Sequence, residues 1–137
     1  MKKIKLAVLA LILFAGTSFG QGKSAGWAEQ KAFHSFMAAT FHPAEDGDLK
    51  PLKAKADSLA AAARLWAASP IPADYKPAET HTALKKLVEQ CANISAKVKA
   101  NASDADLTKL ISEAHDTFHK IAGECKKPAD GHEGHNH

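Results

Sequence analysis

In the stretch "SEAHDTFHKIAGEC", His115 and His119 stand four residues apart. On an α-helix that spacing puts both imidazoles on one face, separated by about 6 Å of rise. Two neutral imidazoles so placed can share one Zn²⁺, Cu²⁺ or Ni²⁺ ion, and a third ligand from a facing helix closes such a site. His34 is the first candidate for that ligand. At about 100° per residue it falls in the arc marked by Trp27, Met37 and Phe41, so its ring is expected to point inward. Heights counted from the end of the molecule nearest the N-terminus, at about 1.5 Å per residue, bring His34, His115 and His119 to one level. His81 and Met37 come close to the same layer.

His42 and Glu45 join the same ion if the loop "HPAEDGD" folds toward the last helix; otherwise they form a helix stop and a solvated cap. His132, His135 and His137 lie in the closing segment "PADGHEGHNH", where ordering entropy keeps metal capture weak. Each residue also has an ordinary role: an inward histidine as a hydrogen-bonded core residue, an i,i+4 pair as surface decoration, a methionine as core filler. Agreement in height is what favours a site. Enzyme chemistry finds no foothold. No Ser, Cys or carboxylate pair has a recognisable base at fixed spacing, and the Glu-x-x-His pairs of di-iron bundles are missing.

The elements that must position these rings follow a short N-terminal segment. Lys2, Lys3 and Lys5 precede the apolar run Leu6 to Ala15, and "TSFGQG" offers small residues, which predicts a signal peptide over 1–20 cut after Gly20. The mature chain is then expected in the periplasm or secreted, with no membrane attachment after cleavage. Three of the 18 basic residues leave with that segment, so 15 face 15 acidic ones, and neutrality gives no reason to expect nucleic acid.

Periodicity predicts an all-α protein. Helices are expected over Ser24 to His42, where Pro43 disfavours helix in the residue before it; from Asp48 as N-cap to just before "SPIPADYKP"; over Pro77 to Ala100; and from Ser103 to Cys125. Their apolar stripes are Leu52, Ala56, Leu59, Ala63 and Trp66; Leu84, Leu87, Cys91, Ile94 and Val98; and Leu107, Leu110, Ile111, Ala114, Phe118, Ile121 and Cys125. Four such helices with short connections predict an antiparallel up-down-up-down four-helix bundle over 21–127, with a disordered histidine-rich tail over 128–137. Cys91 and Cys125 differ in height by about 20 Å in that arrangement, against the roughly 7 Å limit for a disulfide. They are expected as buried thiols, or bridged between molecules through Cys125.

The segment "SEAHDTFHK" resembles the last helix of the cytochrome c-prime and soluble four-helix cytochrome b superfamily, in which the haem histidine is followed by an aromatic and then a basic residue. His115, Phe118 and His119 stand in that order here. The c-type members carry two cysteines before the histidine; this chain has Ser112 and Ala114 in that neighbourhood, so covalent haem is excluded. The resemblance leaves a non-covalent haem b, with His34 near the position of the b-type axial methionine and His115 as the second axial ligand. An electron-transfer protein is thus one expectation and a cofactor-free interaction bundle another. The leading one is an exported protein that carries, buffers or senses a transition-metal ion.

Overall fold

The computed structural model describes residues 26–128. The expected signal peptide and cleavage point fall outside them, as does the expected disordered tail beyond Pro128. Four α-helices account for most of the described chain: α1 Ala28–Glu45, α2 Lys50–Ala68, α3 Pro77–Lys99 and α4 Asp104–His119, the last running into one π-helical turn, Lys120–Glu124. No strand occurs among the described residues, where Tyr75 and Lys126 form one isolated antiparallel bridge. α1 packs on α2, α2 on α3, α3 on α4, and α4 closes the ring against α1. No helix among these residues is long and apolar enough to cross a membrane.

The helix ends follow local chemistry, with two departures. Ser103 accepts a hydrogen bond from the Asp106 amide at 3.1 Å and caps α4 as its spacing predicts. Asp48 caps the following helix from one residue further back than expected, accepting from the Lys50 amide at 3.1 Å while Leu49 holds the N-cap position. Pro43 does not stop α1, which runs on to Glu45. Burial of Phe41 and Ala44 holds this last turn to the bundle, and the Pro43 carbonyl accepts from the amides of Asp46 and Asp48. The two tight connections need left-handed backbone, supplied by Gly47 at φ 85° and Asn101 at φ 56°.

All five stripe residues of α2 are buried, with Ala60 and Ala62 beside them, so small side chains let the helices approach closely. Leu84, Leu87, Cys91 and Ile94 face them from α3; Leu107, Ile111, Ala114 and Ile121 complete the core. An aromatic cluster fills one end. Trp27, preceding α1, meets Trp66 near the end of α2 edge-on at 5.6 Å and donates through Nε1 to Ser69 Oγ at 2.8 Å. Tyr75 stacks edge-on to Trp27 at 5.1 Å and donates to Gln30 at 3.1 Å. The chain leaves α4 at this same end, where Lys76 donates to the Cys125 carbonyl and the Lys127 amide to that of Asp74.

Cys91 and Cys125 are free and buried, and burial pushes the Cys91 thiol up to about 12. Native protein is therefore expected to leave both thiols unlabelled by a thiol-specific reagent at neutral pH and to take up two labels once unfolded; labelling of only the unfolded, pre-reduced sample would instead reveal a disulfide. A second expectation comes from Asp57 on α2. The Ser95 hydroxyl donates to its carboxylate, Lys99 lies at 3.3 Å, and these two partners in that order hold its carboxyl below the usual value of 3.8. A depressed folded-state pKa adds stability above the unfolded value and loses it as pH falls through the folded one. Asp57→Asn should therefore lower the melting temperature slightly at neutral pH, with the gap to wild type closing as pH falls below the ordinary carboxylate range; a gap constant with pH would contradict the pairing.

Candidate functional site

Helical register decides which rings meet. α4 buries Leu107, Ile111, Ala114, Phe118 and Ile121, and His115 lies on the shoulder of that stripe, half-buried on the side toward α1. His119, one turn further, is exposed. Their Nε2 atoms converge to 3.0 Å, with the ring planes nearly perpendicular at 82°. At that distance one Nε2–H donates to the lone pair of the other, the tautomers deciding which ring donates.

His115 is fixed from below. Its ring lies flat on Phe41 of α1, centroids 3.7 Å apart and planes within 11°. Burial, and next the neighbouring His119 imidazole, hold its pKa below the usual 6.5, while Asp116 and Glu45 pull weakly the other way and His42 adds to the depression. The ring is therefore neutral at pH 7, the form whose lone pair can bind a metal. His42 and Glu45 flank the same place. They pair with each other at 3.4 Å on the exposed last turn of α1, His42 5.6 Å from Phe41.

His34 differs from expectation: its ring is exposed and does not point inward. The reason lies in the stripe of α1, whose buried members are Phe33, Met37, Thr40, Phe41 and Ala44. Trp27 precedes the helix and so cannot define an arc on it. Measured from the true stripe, His34 sits about 75° off centre, at the edge facing α4. There it stacks on Phe118 at 5.2 Å, planes within 7°. Its height differs as well, since α1 starts at Ala28 and not at Ser24. His34 drops by one turn, and Phe41 takes the level of His115.

The remaining candidates separate. Met37 is core. His81 is exposed on α3 and lines a depression with Ala67, Leu84, Lys85 and Val88 against α2, away from the α1–α4 seam. A groove of about 310 Å³ between α3 and α4 carries Lys86, Gln90, Glu113, Asp116 and Lys120 and no imidazole. Among the described residues, no group of three or more His, Cys, Asp or Glu side chains stands ready to hold a metal ion. Among the described residues the pair thus stands as two imidazoles without a third such side chain. Its closeness was legible from the i,i+4 spacing; the Phe41 platform was not, because nothing in one sequence sets the register between α1 and α4.

Haem b does not fit these residues. His34 and His115 lie along one surface seam and do not face each other across an interior slot. Phe33, Trp66 and Phe118 pack mutually at 5.3 to 5.9 Å in the space between the helices.

No family model matches the chain, and neither the curated proteins nor the solved structures contain a match to it. The likeness to four-helix cytochromes rests on the short "SEAHDTFHK" segment.

Phe41→Leu tests the platform. The variant keeps an apolar side chain at a buried position and should fold, at a cost of about 1 kcal/mol. Ring protons of His115, shifted upfield by the aromatic face beneath them in wild type, should return toward ordinary values in the proton NMR spectrum; an unchanged shift would contradict the stack.

Proposed function

We propose that this protein is an exported four-helix bundle, connected up-down-up-down with neighbouring helices antiparallel, that binds a transition-metal ion on its α1–α4 face through His115 and His119. Its role is that of a carrier, buffer or sensor for the ion. The observation that supports this best is the convergence of the two Nε2 atoms at 3.0 Å above a ring held by Phe41. With metal–nitrogen bonds of about 2.0–2.1 Å, nitrogens so spaced subtend roughly 95° at the ion. That suits the right angles of tetragonal Cu²⁺ or Ni²⁺ with little movement; tetrahedral Zn²⁺ asks the nitrogens to part by about 0.3 Å. The cation takes the place of the shared proton, and both rings become Nδ1–H tautomers.

Export is supported by the lysine-then-apolar start of the chain, Met1 to Gly20. Two protein nitrogens on an exposed face leave coordination positions open, and an open site exchanges its ion more readily than a closed structural one. Such exchange suits a protein that passes metal on. His42 and Glu45 stand close enough for their charges to act on His115, and so on an ion bound there.

Calorimetric titration of the purified protein with Cu²⁺ and with Zn²⁺ tests the reading. Wild type should bind one ion per chain, and His115→Ala should weaken that binding at least about tenfold, or 1.4 kcal/mol. Full affinity in His115→Ala would remove the pair from the site.

A further inference from the structure

A line of aromatic rings leaves the imidazole pair and crosses the end of the bundle. His119 meets Phe118 edge-on with centroids 5.4 Å apart; Phe118 lies 5.9 Å from Trp66, Trp66 5.6 Å from Trp27, and Trp27 5.1 Å from Tyr75. Phe33 touches both Phe118 and Trp66 and fills the space beside that line. Phe118, Trp66, Trp27 and Tyr75 are all buried, so water does not divide it. Tyr75 is also the chain's single tyrosine. We propose that this line carries oxidising equivalents from a copper ion at the His115–His119 pair to Tyr75 when that ion, once reduced, meets hydrogen peroxide. The proposal rests on the metal-binding reading above.

Of the ions that suit the pair, Zn²⁺ has no redox chemistry and copper does. A reductant of the ascorbate class converts bound Cu²⁺ to Cu⁺. Cu⁺ then gives one electron to H₂O₂, the O–O bond breaks, hydroxide leaves, and a hydroxyl radical remains against the two imidazoles. Attack there would destroy the metal ligands. The aromatic line offers an electron instead: Trp66 supplies it across Phe118, Trp27 refills Trp66, and Tyr75 refills Trp27. Tyr75 gives up its phenolic proton with its electron, and the radical ends as water. In sum, Cu⁺, H₂O₂ and the Tyr75 phenol become Cu²⁺, hydroxide, water and a neutral tyrosyl radical. One more electron from the same reductant, with a proton, restores the phenol.

Hydrogen bonding sets the direction of travel. Trp66 Nε1–H is buried with no acceptor among the described residues, so an oxidised Trp66 keeps its proton and holds a positive charge in an apolar core, which is unfavourable. Trp27 donates through Nε1 to Ser69 Oγ at 2.8 Å, and Ser69 donates in turn to the Trp66 carbonyl at 2.7 Å. A hydroxyl so placed steadies a charge but is too weak a base to remove the proton. The Tyr75 hydroxyl donates to Gln30 Oε1 at 3.1 Å, and Gln30 is only half-buried, in the first turn of α1. Its proton therefore has a way out to solvent. The radical becomes neutral at Tyr75, and the transfers stop there.

Protein loaded with one equivalent of Cu²⁺, its binding checked by calorimetry, is mixed with ascorbate and hydrogen peroxide and read by rapid-freeze electron paramagnetic resonance and peptide mass spectrometry. Wild type should give a tyrosyl signal, which only Tyr75 can carry. Tyr75→Phe keeps the ring, should fold, and should lose the signal while oxidation of the His115–His119 peptide rises. Trp27→Phe should bind copper as wild type does and give much less tyrosyl radical. Absence of the signal in copper-loaded wild type would overturn the route and leave the metal site standing. So would an undiminished signal in Trp27→Phe, because a freely diffusing radical would then have reached Tyr75. A wild-type signal in His115→Ala/His119→Ala would place the copper chemistry away from the pair and overturn both readings.

Discussion

The stack of His115 on Phe41 joins the last turns of α1 to the middle of α4, and it exists because each helix is anchored elsewhere. Phe41 is placed by Phe33, Met37 and Ala44, which bury the same face of α1. His115 is placed by Ile111, Ala114 and Phe118 on α4. A second stack, His34 of α1 on Phe118 of α4, repeats the pairing with the partners exchanged, seven residues back along α1 and three on along α4. Aromatic pairs of this kind are worth about 0.5–1.5 kcal/mol beyond their burial, so the two stacks add to the Phe33–Phe118 contact in fixing the register between α1 and α4. Fixed register is what gives the exposed imidazole of His119 a constant neighbour.

Much of this was written in the period of the sequence. The stripe from Leu52 to Trp66 and that from Leu107 to Cys125 define buried faces because a residue every three or four positions returns to the same side of a helix. The same arithmetic puts His115 and His119 together. His34 shows where it fails. An arc drawn through Met37, Phe41 and Trp27, the last outside the helix, rotates the apparent core by about 55°, and a helix start misplaced by four residues shifts the height by a turn. Pro43 misleads in another way: burial of Ala44 outweighs the proline's local preference, carries α1 to Glu45 and brings His42 and Glu45 beside His115. Both errors concern how one helix meets another, which no single helix encodes.

The chemistry of the site follows from its partial exposure. Burial favours the neutral form of His115, with its free lone pair, over the protonated one, and on the proposed reading the open outer side would let an ion come and go. A deeper pair would hold metal more firmly and release it more slowly; a fully exposed pair would lose side-chain entropy on binding that the Phe41 platform has already removed from His115. The arrangement lies between these.

The most direct test is a long-range proton–nitrogen NMR spectrum of the histidine side chains, recorded before and after one equivalent of Zn²⁺. The Nε2 resonances of His115 and His119 should move together, both rings settling as Nδ1–H tautomers. Movement confined to other histidines, with these two nitrogens unchanged, would contradict a metal site on the α1–α4 face.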